Sequence, residues 1–311
     1  MYKRIIFTVK ICFTLLLIVL IFNQIKLAEF VKLFTGIGIK FLLLSFTLMP
    51  LQIFLQTWRW HLLLNKNHVS STFSQSLKSF LGGYALGSIS PGRFGELGKS
   101  LFFGHGEIKR VLFLCFVERY YILLPIFVFG LAAMTIHVLI FPIPGKFYSV
   151  IGIGAFAILF LLILLPFAWF RKLVAGFVNK FNSNSSLGMW PGTDKMLFIK
   201  ALGLSSIIHI ILIIQFCILI RGINSDHLIF IKSAVGISQT FMLMSLLPVS
   251  FGNLGVRELS LAYFCTSMPM EGSVAVTGGI LLFIINLLIP TLMGALPVIL
   301  IKAQNSISSI S

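Results

Sequence analysis

Three pairs of acidic and basic side chains lie in or beside largely apolar stretches of this sequence. The pairs are Arg93 with Glu96, Glu118 with Arg119, and Arg257 with Glu258. An ionised side chain at the centre of a membrane helix costs about 2.5–3.5 kcal/mol on insertion scales, so such residues usually face a cavity or a partner. Because guanidinium groups bind phosphate in a bidentate manner, the pattern predicts that these six residues bind an anionic headgroup. Glu96 is also suited to couple transport to a proton or another ion.

The same pairs have a structural interpretation. Ion pairs between arginine and a carboxylate can fix irregular membrane segments in place without contacting any ligand. For Glu118 and Arg119 both interpretations stay open. For the other four residues the surrounding motif favours binding.

A motif with identical spacing occurs twice, about half a chain apart. Its first copy consists of Pro91, Phe94, Gly95, Leu97 and Gly98, and its second copy of Pro248, Phe251, Gly252, Leu254 and Gly255. The copies differ in charge, because Ser250 aligns with Arg93 and Asn253 with Glu96. Both lie in stretches rich in Gly, Ser and Pro, at about 79–100 and 231–258. Irregular backbone at membrane depth requires a surrounding of protein or a water-filled cavity, so we expect two buried re-entrant hairpins.

The composition indicates an all-α polytopic membrane protein. Hydrophobic residues make up 58% of the chain and charged residues 10%. A helix needs about 20 apolar residues to cross the hydrocarbon layer. Such runs predict six crossing helices at about 5–24, 33–57, 111–140, 149–170, 196–220 and 273–301. Three crossings and one hairpin per half predict two repeats of inverted topology, 1–148 and 149–311, within one integral membrane domain.

Basic residues predict the orientation. Lys3, Arg4 and Lys10 lie at the start of the first predicted helix, and more basic residues fill the longest loop, at about 171–195. Positively charged loops favour the cytoplasmic side, which predicts a cytoplasmic N-terminus in the inner membrane. The same count places Arg59 and Lys99 on the cytoplasmic side. The run Trp58-Arg59-Trp60 then resembles an interfacial aromatic belt with a snorkelling arginine.

Several other classes of function find no support in the sequence. The net charge of +16 arises from basic residues that flank apolar spans, and no nucleic-acid-binding motif accompanies it. The four cysteines lie in largely apolar stretches, which predicts packing residues. The six histidines show no metal-ligand spacing, and no P-loop or GxSxG motif occurs. We therefore expect no metal and no cofactor, and we leave the oligomeric state open.

Two further polar positions lie inside apolar spans. His209 is expected to be a hydrogen-bonded packing residue, with a proton relay as the alternative. Asn286 and Pro290 in the last span predict a kink with a polar partner, close to the transport cavity.

The first motif with Lys99, the pair Glu118-Arg119, and the second motif with Glu258 resemble the flippase-like family named for the transmembrane region of lysylphosphatidylglycerol synthase. The resemblance covers nearly the whole chain. It implies a helical module linked to lipid translocation, here in a form without the soluble synthase domain. The aminoacyl-transfer activity of the family name is therefore not expected.

These observations predict a protein that moves an anionic lipid or lipid-linked intermediate across the bacterial inner membrane, with a membrane lipid as substrate. The headgroup is expected between the two hairpins. The alternative is a membrane enzyme, or an enzyme subunit, that modifies a phospholipid or polyprenyl-linked glycan. A lipid-modifying enzyme is a possible partner in either case.

Overall fold

The described part of the chain is helical throughout. The computed structural model describes residues 27–90, 93–104, 106–141, 154, 194–224, 229–247, 253 and 255–308, with side chains described from residue 32 to residue 300. Its helices are α1 (Leu27–Gly36), α2 (Ile39–Lys66), α3 (Phe73–Ser88), a 3₁₀ helix (Phe94–Phe102), α4 (Ile108–Ile140), α5 (Lys195–Ile223), α6 (Ile229–Leu246), α7 (Val256–Thr266), α8 (Gly272–Phe283), a π-helical turn (Ile284–Leu288) and α9 (Ile289–Ser308). The prediction of an all-α polytopic membrane protein is confirmed.

Five stretches within the described ranges are long and apolar enough to cross a membrane. They are Ile39–Lys66, Ile108–Ile140, Lys195–Ile223, Ile229–Leu246 and Gly272–Leu300. Three of them match predicted crossings closely, at 111–140, 196–220 and 273–301. The predicted crossings at 5–24 and 149–170 lie outside the described residues. The remaining stretch, α6, overlaps the segment predicted as the second hairpin, so the number of crossings and the inverted repeats stay predictions.

The predicted crossing at 33–57 has the wrong boundaries. Helix α1 ends at Gly36, and α2 begins at Ile39 and continues to Lys66. A glycine pair, Gly36 and Gly38, flanks the break, whereas Pro50 lies inside α2 without ending it. Because α2 extends nine residues beyond the predicted end, it carries Arg59 and Trp60 into the helix bundle, while Trp58 stays exposed.

The described residues of each motif copy lie at a junction between two helices that pack on each other, or in the first turns of the second helix. The first junction joins α3 to the 3₁₀ helix, and the second joins α6 to α7. Pro91, Gly92, Pro248, Phe251, Gly252 and Leu254 lie outside the described residues. The described residues Arg93 and Asn253 both adopt a positive φ, near 61° and 58°. Left-handed backbone is uncommon for residues other than glycine, so these aligned positions of the two copies share an unusual conformation.

Small residues let the first hairpin close tightly. A Cβ atom at Gly95 would lie 2.0 Å from the carbonyl oxygen of Leu86, and one at Gly83 would lie 2.3 Å from Cγ of Lys99. The backbone N–H of Gly95 also donates a hydrogen bond of 2.6 Å to Oγ of Ser90. The motif glycine thus brings the 3₁₀ helix against α3, which holds Lys99 and Ser100 in the interior while Phe94 and Leu101 stay exposed.

The long helices surround a shared apolar core. Trp60, Leu114, Tyr121, Phe216 and Leu261 are fully buried and belong to one cluster of buried residues from α2, α4, α5 and α7. The buried cysteines Cys115, Cys217 and Cys265 pack in the interior as predicted. The outward faces keep many exposed apolar side chains, which suits contact with lipid.

Gly95→Ala is expected to destabilise the protein by about 1–3 kcal/mol or more, because its methyl group would overlap a backbone carbonyl that cannot rotate away. The control is Gly104→Ala, where a Cβ atom would meet open space. Thermal unfolding of the detergent-solubilised variants measures both effects. Equal melting temperatures for the two variants would contradict the close packing of this hairpin.

Candidate functional site

A central cavity of about 160 Å³ opens between the helices. Its charged lining consists of Arg59, Arg93, Glu96, Lys99, Glu118 and Arg119, and its neutral polar lining of Gln52, Gln56, Tyr84, Ser205, His209, Ser245, Asn253 and Asn286. Apolar side chains from α3, α4, α5 and α6 complete the wall: Phe80, Ile122, Ile126, Ile208, Leu212, Phe241 and Met244. The cavity therefore combines charged groups and apolar wall within the membrane-spanning bundle.

One buried carboxylate, that of Glu118, forms ion pairs with two cations at this cavity. Oε1 of Glu118 accepts a hydrogen bond of 3.1 Å from Arg59, and its Oε2 accepts one of 2.5 Å from Lys99. All three residues are about 2% exposed. Arg59 also donates to Oγ of Ser205 at 3.0 Å. Three elements thus meet at one ionic cluster, in which one negative charge faces two positive charges.

The Lys99 ammonium has an aromatic surrounding. Its Nζ lies 4.9 Å from the ring centroid of Trp60 and 5.3 Å from that of Phe80. A cation is attracted to the face of an aromatic ring, most strongly when little water is present. Trp60 is itself held in place, because its Nε1–H donates to Oγ of Ser79 at 3.3 Å. These contacts keep Lys99 in the bundle and away from solvent.

The second ion pair lies at the start of the 3₁₀ helix. Arg93 lies 2.7 Å from Oε1 of Glu96, and its guanidinium group lies 4.5 Å from the ring centroid of Tyr84. Both charged side chains keep about a fifth of their surface exposed. This pair is therefore more accessible from the cavity than the cluster around Glu118.

Arg119 supplies a further cation. It lines the cavity, and no carboxylate of a described side chain lies within ion-pair distance of it. Arg119 is thus available to an anion that enters the cavity.

An amide network borders the cavity beside the π-helical turn. Gln215 donates to Oδ1 of Asn286 at 3.2 Å and accepts a hydrogen bond of 2.5 Å from its amide nitrogen. Oε1 of Gln215 also accepts from Gln52 at 2.6 Å. The backbone carbonyl of Asn286 accepts a hydrogen bond of 2.6 Å from Tyr84. The predicted place of Asn286 at the cavity is confirmed and the helix is irregular there, whereas a kink at Pro290 stays a prediction.

His209 does not form the hydrogen bond expected of a packing histidine. It lines the cavity, is 6% exposed, and its Nε2 has no hydrogen-bond partner among the described residues. Its ring instead lies 5.4 Å from that of Phe129 and 5.8 Å from that of Phe241. The prediction of a hydrogen-bonded side chain is wrong for Nε2.

Arg257 and Glu258 lie outside the lining of this cavity. They pair with each other, and Oε2 of Glu258 accepts a hydrogen bond of 2.8 Å from the backbone N–H of Gly255. The Arg257 guanidinium lies 4.8 Å from the ring centroid of Phe283. These contacts stabilise the end of the second motif and the start of α7. A role of the pair in substrate binding stays a prediction.

Four of the six predicted site residues line one cavity, and each motif copy contributes to it. Glu96 comes from the first copy and Asn253 from the aligned position of the second. Sequence reasoning missed Arg59 and Lys99, and the interpretation of Arg59 as a snorkelling residue is wrong. The available signal was a polar stripe on α2, where Gln52, Gln56 and Arg59 follow helical spacing on one face.

Glu118→Gln is expected to destabilise the protein by about 3–5 kcal/mol, because it leaves the buried Arg59 and Lys99 without their shared negative charge. Added anionic lipid should raise the melting temperature of this variant by more than it raises that of the original protein. Thermal unfolding in detergent, with and without the lipid, measures both effects.

Asp194→Asn is the control for this experiment. It breaks an exposed pair of 3.8 Å with Lys66 but retains a side chain that can cap α5. Exposed pairs contribute about 0–1 kcal/mol, so little change is expected. A Glu118→Gln variant as stable as the control would contradict the account of the buried cluster.

The comparison with known families agrees with the membrane architecture. The family described as the lysylphosphatidylglycerol synthase TM region matches residues 7–294, a segment that contains every residue of the cavity lining. No curated protein matches the sequence. This match ties the chain, an integral multi-pass membrane protein, to lipid metabolism or transport. The chain belongs to the family of the lysylphosphatidylglycerol synthase transmembrane region.

Proposed function

We propose that this protein translocates a lipid with an anionic headgroup across the bacterial inner membrane, and that the central cavity binds the headgroup during the crossing. The observation that carries this proposal is the cluster of Arg59, Lys99 and Glu118 at the cavity, where two buried cations share one carboxylate. A cationic cavity inside a membrane bundle lowers the cost of bringing a negative charge to membrane depth. That cost is the main barrier to spontaneous movement of a charged lipid.

The type of cation supports headgroup binding. Three of the four cations at the cavity are arginines, namely Arg59, Arg93 and Arg119. Arginine offers several N–H donors in a planar arrangement that matches phosphate oxygens. The buried Glu118 carboxylate restrains Arg59 but is shared with Lys99. Its single negative charge therefore neutralises only half of the combined positive charge of these two residues. An anionic headgroup would complete the neutralisation.

The remaining wall supports a lipid as the ligand. Apolar side chains from α4, α5 and α6 lie in the same lining as the charged residues. A headgroup could therefore occupy the charged part while its hydrocarbon chains stay in contact with apolar helix surfaces. Glu96 and Asn253 place both motif turns beside this cavity. Movement of the two predicted hairpins relative to the other helices would expose the site to each leaflet in turn, with the N-terminus in the cytoplasm.

Translocation can be measured in vesicles that contain the purified protein and a chain-labelled fluorescent phosphatidylglycerol. Without translocation, a membrane-impermeant quencher reaches only the outer leaflet. The protein should raise the quenched fraction above the share of labelled lipid in the outer leaflet. Arg93→Gln should slow the rate of this rise by about tenfold or more, since it removes a charged hydrogen-bond donor.

Arg110→Gln provides the matched control, because Arg110 lies outside the cavity lining and donates to the backbone carbonyl of His68. Its rate should equal that of the original protein. An unchanged quenched fraction with every anionic lipid tested would contradict translocation. Equal rates for the two arginine variants would remove Arg93 from the mechanism.

The alternative function is a membrane enzyme or enzyme subunit. Cells that lack the protein distinguish the two functions. A lipid that is made but missing from the outer leaflet would support translocation. A lipid that is missing from both leaflets would support a role in synthesis.

A further inference from the structure

The charges around the cavity do not balance. Four cationic side chains and two carboxylates line it, which leaves a surplus of two positive charges. Glu96 lies beside Arg93, and Glu118 is shared by Arg59 and Lys99. The two surplus charges therefore belong to the cluster around Glu118 and to Arg119.

The rest of the chain offers few groups that could neutralise this surplus. The sequence contains eight acidic residues in all. Only Glu29 and Asp226 have side chains outside the described part, and the remaining four that do not line the cavity are Glu107, Asp194, Glu258 and Glu271. Of these, Glu258 is paired with Arg257 and Asp194 with Lys66. A buried charge without compensation is strongly unfavourable, so an external anion is the group best suited to balance the site.

The size of the cavity limits what that anion can be. A volume of about 160 Å³ is close to that of an engineered protein cavity, of about 150 Å³, that holds one benzene molecule. A phosphate group fits such a space, because it has fewer heavy atoms than benzene. An oligosaccharide or a peptide-bearing headgroup would extend beyond it.

We propose that the cavity is a phosphomonoester site, selective for a lipid that ends in a terminal phosphate over a phosphodiester or zwitterionic lipid. This assignment rests on the proposed function and specifies its substrate class. A phosphomonoester carries close to two negative charges at neutral pH, which matches the surplus, whereas a phosphodiester carries one. The cluster around Glu118 and Arg119 contact its oxygens, while Gln52 and Asn286 lie in the same lining as neutral polar groups. Diacylglycerol phosphate and polyprenyl phosphate both present this group.

The affinity of the purified protein for soluble short-chain lipids tests the proposal. The probes are dioctanoyl phosphatidate, farnesyl phosphate, dioctanoyl phosphatidylglycerol and dioctanoyl phosphatidylethanolamine, titrated at about pH 7.5, where the monoesters are close to doubly charged. We expect both monoesters to bind at least about tenfold more tightly than the phosphodiester phosphatidylglycerol, and the zwitterionic lipid most weakly. The monoester that binds more tightly shows whether the substrate carries acyl or prenyl chains. The proposal is supported whichever of the two monoesters binds more tightly.

The variant Arg119→Gln tests whether Arg119 recognises the second negative charge of a phosphomonoester, as distinct from anion binding in general. This residue is only half-buried, so the variant should fold. The ratio of monoester to diester affinity is expected to fall towards one in Arg119→Gln and to stay unchanged in Arg110→Gln, whose arginine lies outside the cavity lining on the same helix. A diester that binds the original protein as tightly as the monoesters would overturn the proposal. So would an unchanged ratio in Arg119→Gln.

The outcomes also separate this proposal from the proposed function. Preference for phosphatidylglycerol would overturn the phosphomonoester assignment and leave translocation of an anionic lipid intact. Inorganic phosphate serves as a further probe. If it binds at least as tightly as both lipid monoesters, the ligand is free phosphate, and both the lipid assignment and the proposed function fail.

Discussion

The structure depends on one buried carboxylate, that of Glu118, which two cations share. Arg59 reaches it from α2, and Lys99 reaches it from the 3₁₀ helix of the first hairpin. The interaction therefore ties α2 to two later elements, the 3₁₀ helix and the helix α4 that follows it. Because each of these charges would be costly alone in an apolar interior, the elements are stable only in an arrangement that brings them together. The same arrangement leaves one positive charge uncompensated at the cavity, so the contact that stabilises the bundle also makes the site attractive to anions.

The backbone of the first hairpin makes this contact possible. Gly83 and Gly95 permit α3 and the 3₁₀ helix to approach at distances that a Cβ atom would prevent. Arg93 and Asn253 both lie in left-handed turns at the cavity. Gln215 links Gln52 to Asn286 in the π-helical turn, a type of irregularity that often accompanies functional sites. Irregular backbone thus positions polar groups that regular helices would direct elsewhere.

The sequence predicted the helical membrane fold and four residues of the cavity, because charges within apolar stretches are unusual enough to stand out individually. It did not predict Arg59 or Lys99. Both were assigned to the cytoplasmic surface, since hydropathy alone placed the end of α2 too early and gave Lys99 no partner. Burial of a charge depends on a partner elsewhere in the chain, and the contact between Glu118 and Arg59 spans 59 residues. Hydropathy likewise could not show that Nε2 of His209 has no hydrogen-bond partner among the described residues.

A single-particle structure of the protein in a lipid nanodisc that contains an anionic lipid tests the central claim most directly. The account predicts density for a phosphate group in the central cavity, with oxygens within about 3 Å of the nitrogen atoms of Arg119 and of the cluster around Glu118. The same density should be absent from nanodiscs made only of zwitterionic lipid. A cavity without such density in the anionic nanodisc, under conditions in which the protein translocates that lipid, would contradict the claim that this site binds the headgroup.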